Sequence, residues 1–218
     1  MTLDLAVCGL RATKKERTRQ ALSAAAVRIV AADGIDALTA DRIAAEAGVS
    51  RRTLFNYFAR VEDVLTASMD EAMQGALTVF AARPDDEPLR TSITAVLAGL
   101  LDHQVFEQAI TLERAASGSP ATRHFLREYD DRVVDMIETG LHERIGEAAD
   151  PMYVAGLAGS VTAVLTRTTR LVVEQHPDLA PVDLTARLHE ALATAFDLLF
   201  SGFDEAGAVS TSTLGQDN

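Results

Sequence analysis

Apolar residues recur three and four positions apart through nearly the whole chain, and alternating apolar and polar runs are few. Such spacing lines one face of an α-helix, so it predicts an all-α protein. The predicted helices span residues 13–32, 40–47, 51–58, 62–82, 89–116 (broken at most once), 120–145, 151–175 and 182–203. Residues 170–173 have a β-like composition, but the helical period continues through them and favours helix.

Capping residues support these bounds. Gly34 follows the first helix and suits a left-handed cap, while Thr39 and Ser50 precede two short helical segments as N-caps. Ser119 and Asp150 each precede a proline, which is tolerated at the first helical position. The buried stripe predicted for the first helix consists of Ala21, Leu22, Ala25, Ile29 and Ala32.

The chain divides near residues 83–88, an acidic, turn-rich stretch that holds the first of its six prolines. Its 218 residues are 48% hydrophobic, which is enough for a sizeable core in one domain or two. We expect a disordered leader over 1–12, a helix-turn-helix domain over 13–60, a connecting helix over 61–82, a helical bundle over 88–204 and a disordered tail over 205–218.

Charge follows the same division. The net charge of −12 taken alone suggests repulsion from nucleic acid. Residues 11–60, however, hold ten Lys and Arg against five Asp and Glu, a net +5, and the rest of the chain carries −17. The basic charge is therefore concentrated in the N-terminal part, and we expect weak, salt-dependent non-specific binding to nucleic acid.

Several classes are disfavoured. Cys8 is the only cysteine, which rules out an internal disulfide and a cysteine zinc cluster and favours a reducing cytoplasm. No apolar run approaches the roughly 18–20 residues of a membrane span, so we expect no membrane partner. The five histidines are scattered without a metal-binding spacing, and no glycine-rich phosphate loop occurs, so we expect no enzyme, metal or cofactor.

Residues 39–58 have the form helix, tight turn, helix. Ala44 is small where two helices must cross, and Gly48 can take the positive φ of a sharp turn. A miniature core is predicted from Ile43, Val49 and Leu54, closed by Phe55 and Phe58.

The second of these helices has the composition of a recognition helix. Its first turn presents Arg51, Arg52 and Thr53, which can reach phosphates and base edges in a major groove. Tyr57 offers a hydroxyl for a phosphate. A basic arm leads into the first helix and is expected to contact phosphates; it consists of Arg11, Lys14, Lys15, Arg17 and Arg19. Arg42 fits a solvated face as well as a DNA contact.

The stretch resembles the DNA-binding region of the TetR family of bacterial transcriptional regulators, over about residues 13–70. The matching residues are Gly34, Thr39, Ile43-Ala44, Ala47-Gly48-Val49-Ser50, Thr53-Leu54-Phe55, Tyr57-Phe58 and Glu62-Asp63-Val64-Leu65. Many relatives carry a lysine two residues before the Asp of the Glu-Asp pair. This chain has Val61 there, and Arg60 is the candidate substitute.

The resemblance implies phosphate contacts from Thr39 and Tyr57, base contacts from Arg51, Arg52 and Thr53, and either role for Asn56. Together with the residue-level reasoning, the candidate DNA-binding set is Lys14, Lys15, Arg17, Arg19, Thr39, Arg42, Ser50, Arg51, Arg52, Thr53, Asn56, Tyr57 and Arg60.

Residues 88–204, in the acidic part of the chain, are predicted to form an apolar helical bundle with a few polar residues on its apolar stripes. Polar groups converging on an apolar cavity are how small-molecule sites are usually built. The candidate effector contacts are His103, Gln104, Glu113 and Tyr129, each of which also fits a core or surface role.

The last two helices carry two further apolar faces. One is a small-residue stripe of Ala155, Gly156, Gly159 and Ala163; the other is Leu184, Leu188, Ala191, Leu192, Ala195, Phe196 and Leu199. Either can be core in a monomer, and the resemblance implies that these helices form a homodimer interface. Two-fold symmetry would then match a palindromic operator.

The sequence thus predicts a homodimeric, ligand-responsive transcriptional regulator, a repressor released from double-stranded DNA by a small-molecule effector. Two alternatives stay open. One is an effector-independent or activating DNA-binding regulator, and the other is an all-α binding or interaction protein whose helix-turn-helix is only structural.

Overall fold

The computed structural model describes residues 3–99, 103–146 and 149–202; the side chains of residues 3–14, 103 and 104 lie outside that description. The described part is all helical, which confirms the predicted fold class. Its helices are α1 (Leu3–Asp33), α2 (Ala40–Glu46), α3 (Arg51–Phe55), α4 (Val61–Ala81), α5 (Leu89–Gly99), α6 (His103–Gly118), α7 (Pro120–Ile145), α8 (Pro151–Gln175) and α9 (Pro181–Ser201), with a 3₁₀ turn at Ile35–Ala37.

Most bounds lie within a few residues of the prediction, but two helices differ. The first helix begins at Leu3, inside the stretch predicted to be a disordered leader. Once a helix has nucleated, each added residue gains a hydrogen bond, and no proline interrupts this segment. The third helix ends at Phe55 because Tyr57 and Phe58 both donate backbone hydrogen bonds to the Leu54 carbonyl in a closing turn. The predicted tail, 205–218, lies outside the described residues.

The predicted caps at Ser119 and Asp150 are present. The Ser119 hydroxyl accepts the Thr122 N–H at 3.1 Å, and the Asp150 carboxylate accepts the Met152 N–H at 2.8 Å. Residues 170–173 lie inside α8, as the helical period predicted. These caps fix where α7 and α8 start.

The described residues form two apolar cores. We call α1–α3 with the first half of α4 the N-terminal unit, and the rest of α4 with α5–α9 the bundle. In α1 the N-terminal core takes Leu22, Ala25, Ala26, Ile29 and Val30. The predicted Ala21 and Ala32 are exposed instead, because both lie just outside the same edge of this stripe.

The two cores share α6 and α7. Leu112 and Ala116 of α6 and Leu126 of α7 belong to the N-terminal core, while Ile110 and Tyr129 of the same helices belong to the bundle core. The N-terminal unit is therefore packed directly on two bundle helices.

The connection between α4 and α5 is held by one arginine. Arg144 of α7 donates to the carbonyl oxygens of Phe80, Arg83 and Pro84 at 3.1, 2.9 and 2.7 Å. These carbonyls lie at or just beyond the end of α4, and those of Phe80 and Pro84 also accept the backbone N–H groups of Arg83 and Glu87. The stretch predicted as a linker is thus fastened to the bundle.

Candidate nucleic-acid interface and bundle cavity

The helix-turn-helix is built from two side-chain caps and one glycine. The Thr39 hydroxyl accepts the Arg42 N–H at 3.3 Å to start α2, and the Ser50 hydroxyl accepts the Thr53 N–H at 3.0 Å to start α3. Gly48 in the turn has φ of +68°, which L side chains rarely adopt. Thr39 and Ser50 thus have a structural role beside any contact to DNA.

The core below the turn is close to the prediction, with one correction. Ile43 and Leu54 are fully buried, Phe58 is 6% exposed, and Val49 packs against them. Phe55 was predicted to close this core but is 45% exposed, because it follows Leu54 by one position and points away from the core. The Arg51 guanidinium lies 5.9 Å from the centre of its ring.

The first turn of α3 presents two arginines to solvent. Arg51 forms an ion pair with Asp41 at 3.3 Å, in which both side chains are largely exposed. Arg52 is exposed and has no ion pair within the described residues. Thr53 is half-buried, and its hydroxyl lies 2.8 Å from that of Ser50. Arg52 is therefore the cation of α3 that is ready to meet an anion without breaking a contact.

Other predicted cations are paired with carboxylates. Arg42 binds Asp33, and Arg60 lies 3.5 Å from Glu62. Both pairs are substantially exposed, and exposed ion pairs contribute about 0–1 kcal/mol, so phosphates can compete for these arginines. Asp33 is already included in the net charge of +5 for residues 11–60, whereas Glu62 lies outside that count.

Arg19 has a different environment from the rest of the basic arm. Its Nε lies 2.5 Å from a Glu71 carboxylate oxygen, and its guanidinium lies 5.2 Å from the centre of the Phe58 ring. These contacts tie α1 to α4 and to the turn after α3. Lys15 and Arg17 are exposed, and the Lys14 side chain lies outside the described residues.

Three predicted residues follow α3. Asn56 is exposed at its C-cap, and Tyr57 is half-buried against the N-terminal core. Arg60 is exposed at the N-cap of α4, where its N–H donates to Asp63 at 3.2 Å. The structure thus keeps Arg60 at the start of α4, beside the position where many relatives carry the lysine.

The bundle has a partly open cavity of about 140 Å³ between α4, α6, α7 and α8. Its lining is mostly apolar, with Met69, Met73, Phe106, Leu112 and Leu165 among its members. The lining also includes six polar side chains, which are Glu113, Tyr129, Asp130, Thr166, Thr169 and Arg170. Of the four predicted effector contacts, the structure brings Glu113 and Tyr129 together here, and the side chains of His103 and Gln104 lie outside the described residues.

Glu113 is 7% exposed and is held by two arginines. Its Oε1 accepts hydrogen bonds from Arg170 Nε at 2.9 Å and from Arg123 Nη1. Tyr129 is 5% exposed. Burial, followed by the negative charge of Asp70, raises the pKa of its hydroxyl well above the ordinary value, so it stays protonated and donates a hydrogen bond.

Sequence reasoning missed Asp130 and Arg170. Burial, and then the negative charge of Glu113, raise the pKa of Asp130 to about 6. A signal for Asp130 existed: it follows Leu126 by four residues and precedes Val133 by three, so it lies on the apolar stripe of α7. Polar side chains on such a stripe are candidates for an internal site.

None of the described helices is both long enough and apolar enough to cross a membrane. Within the described residues, no group of three or more His, Cys, Asp and Glu side chains could hold a metal ion.

The capped turn, the exposed basic first turn of α3 and the helical bundle behind them define the class of helix-turn-helix transcriptional regulators. Residues 22–67 match the family described as bacterial regulatory proteins, tetR family. The N-terminal part of the chain therefore carries a DNA-binding domain of the TetR family type, which is the domain of a DNA-binding regulator.

One solved structure supports this fold, and two others are similar to the chain at lower TM-scores. A putative TetR-family transcriptional regulator from Mesorhizobium loti has a TM-score of 0.50 at 13% identity, covering 86% of this chain and 96% of that one. A transcriptional regulator from Rhodococcus sp. Rha1 has a TM-score of 0.44 at 19% identity, with 84% and 96% covered. The multidrug binding protein EbrR, complexed with proflavin, has a TM-score of 0.35 at 25% identity, with 82% and 99% covered. A comparison with curated proteins gave no match.

Proposed function

We propose that this regulator is a homodimeric repressor that binds a palindromic operator and is released by a small molecule bound in the bundle cavity. One observation carries the ligand response: Leu112 and Leu126 line the cavity and also belong to the core of the N-terminal unit. A ligand that moves these side chains must disturb the packing that orients α3.

Two hydrogen bonds support the same coupling. The Gln108 side chain of α6 donates to the Leu65 carbonyl of α4 at 2.7 Å, and the Ile35 N–H donates to the Thr122 hydroxyl of α7 at 3.2 Å. Because α6 and α7 form walls of the cavity, these bonds join its walls to the N-terminal unit. A ligand in the cavity would change which orientations of the N-terminal unit are populated, and this change would lower the affinity for the operator.

At the DNA, Arg52 and Arg51 are proposed to reach base edges, with Thr53 and Asn56 beside them. Phosphate contacts are proposed for Lys14, Lys15, Arg17, Thr39, Arg42, Ser50, Tyr57 and Arg60. For Arg19 we propose a positioning role, because its contacts to Glu71 and Phe58 direct it toward α4.

The dimer is proposed to form through α8 and α9. Ala155, Gly156 and Ala163 are exposed on one face of α8, where Met152 is 82% exposed and Tyr153 53%. The larger apolar face predicted on α9 is not available, since Leu184, Leu188, Leu192 and Phe196 pack into the bundle core. Val182 of α9 is 60% exposed. Small residues permit close helix approach between two copies.

The experiment starts with selection of bound sites from random and genomic DNA. Arg52→Ala should lower affinity for the selected operator by about 1–3 kcal/mol and relax the base preference at one position of each half-site. Arg127→Ala is the matched control, because Arg127 is an exposed arginine on α7 of the bundle. Equal affinities for Arg52→Ala and wild type would contradict the proposed reading helix, and selected sites without two-fold symmetry would contradict the operator.

A further inference from the structure

The chemistry of the cavity restricts the effector more than the proposed function requires. Most of the wall offers only carbon and sulfur atoms, from Met69, Met73, Val105, Phe106 and Leu165. Leu165 also lines two neighbouring cavities, one of which is walled by Phe80, Ile93 and other apolar side chains. A ligand that fills this space must present a carbon body to most of the wall.

The carboxylate side chains that line the cavity differ in how many hydrogen bonds they accept. The described charged residues that line the cavity are two carboxylates, Glu113 and Asp130, and one guanidinium, Arg170. Both hydrogen bonds from arginine to Glu113 end on Oε1, and no described residue donates to Oε2. No described residue donates to the Asp130 carboxylate or forms an ion pair with it.

Arg170 binds Glu113 through its Nε at 2.9 Å, and its charge, together with that of Arg123, also attracts Asp130 without a hydrogen bond. The wall therefore keeps acceptor oxygens without donors from the described residues, on Asp130 and on Oε2 of Glu113. An anionic ligand would add further acceptors beside these oxygens, whereas a cation would supply the missing donors. The raised pKa of Asp130 is consistent with this, because burial and the negative charge of Glu113 outweigh the attraction of Arg170 and Arg123.

We infer that the effector is a cation, an ammonium or amidinium group on an apolar body, with its N–H donors on Asp130 and on Oε2 of Glu113. The inference rests on the proposed function, in that it assigns the chemical class of the molecule that fills the proposed effector cavity.

The test uses three probes that share one carbon body: 4-phenylbutylamine, 4-phenylbutanol and 4-phenylbutyrate. Binding to the full chain is measured by calorimetry at pH 7.5, where the first is a cation, the second neutral and the third an anion. We expect the amine to bind about tenfold more tightly than the alcohol, and the carboxylate to bind most weakly.

Variants locate the binding. Asp130→Asn should lower the affinity for the amine about tenfold and leave the alcohol within about twofold. Asp131→Asn is the matched control, since it removes the same charge from an exposed neighbour on α7 and should change neither affinity. Ala109→Leu, which fills the cavity, should weaken all three probes.

Three results would overturn the inference: equal binding of the three probes, tightest binding of the carboxylate, or no binding of any probe at millimolar concentration. Equal loss of amine affinity in Asp130→Asn and Asp131→Asn would overturn the assigned residue. Failure of the proposed function looks different, because the amine would then bind in the cavity with the expected preference and leave operator affinity unchanged.

Discussion

Single residues show how one cavity gives two carboxylates different properties. Glu113 is deeply buried but receives two arginine donors, so its charge is compensated within the fold. Asp130, one helix away, is half-buried without a donor from the described residues, and its pKa is raised to about 6. Burial of a charged group without a partner costs free energy, so Asp130 lowers the stability of the ligand-free protein at neutral pH.

We therefore expect Asp130→Asn to be more stable than wild type at pH 7, by about 1 kcal/mol once partial exposure is allowed for. The folded-state pKa lies above the unfolded value, so protonation favours the folded state. The wild type should lose this contribution as pH rises from about 4 through about 6. Urea unfolding of both proteins at pH 4 and pH 7 measures the difference in their free energy of unfolding. A variant less stable than wild type at pH 7, or a difference that persists at pH 4, would contradict the assignment.

At the scale of elements, α6 and α7 connect the two cores. One face of α6 lines the cavity. Two residues of the same helix, Leu112 and Ala116, belong to the N-terminal core. At the start of α7, the Thr122 hydroxyl accepts the Ile35 N–H, just before α2 begins. The bond involves a side chain that is fully buried, so no water replaces it when it is lost.

Replacing that hydroxyl gives a prediction. Thr122→Val keeps the shape of the side chain and removes the acceptor, so we expect a loss of about 1 kcal/mol in the free energy of unfolding. Thr139→Val is the matched control on the same helix, because the Thr139 hydroxyl is exposed and bonds only to the Asp135 carbonyl of its own helix. Chemical denaturation compares the two. Equal losses would show that the Ile35 bond has no particular role.

The elements also show what the sequence could predict. Helical periodicity and the residues Thr39, Ser50, Ser119 and Asp150 located most helix starts, because capping depends on neighbours along the chain. The ion pairs of Arg19 with Glu71 and of Arg28 with Glu46 were not predictable in this way, since tertiary packing brings their partners together.

The candidate sites also contain residues that the sequence could predict and residues that only the tertiary structure reveals. The turn residues and the exposed Arg51 and Arg52 follow from a local pattern, whereas the cavity requires α4, α6, α7 and α8 to be placed relative to one another. Glu113 and Tyr129 were found because they are polar groups on apolar stripes. Asp130 and Arg170 satisfy the same criterion and were missed; which of the four lacks a partner depends on the tertiary structure.

For the whole molecule, the proposed dimer places two recognition helices on one operator. Gly156 lies on the exposed stripe of α8, and a Cβ added there would meet no atom within 4 Å inside its own chain. A substitution at this position therefore tests association without disturbing the bundle.

We expect Gly156→Glu to raise the dimer dissociation constant at least about 100-fold, since it buries an unpaired charge at a close helix contact. Gly75→Glu is the control, because Gly75 is exposed on α4 and its Cβ would also meet nothing within 4 Å. Sedimentation equilibrium measures both variants. A wild-type monomer at micromolar concentration, or a Gly156→Glu variant as dimeric as the control, would contradict the proposed interface.

The central claim is that filling the bundle cavity weakens DNA binding. The measurement is the equilibrium affinity for the selected operator, with and without a saturating concentration of the tightest of the three phenylbutyl probes. The account predicts that the operator dissociation constant rises at least about tenfold, and that operator-bound protein binds the probe more weakly by the same factor. An unchanged operator affinity, while calorimetry shows the cavity to be occupied, would contradict it.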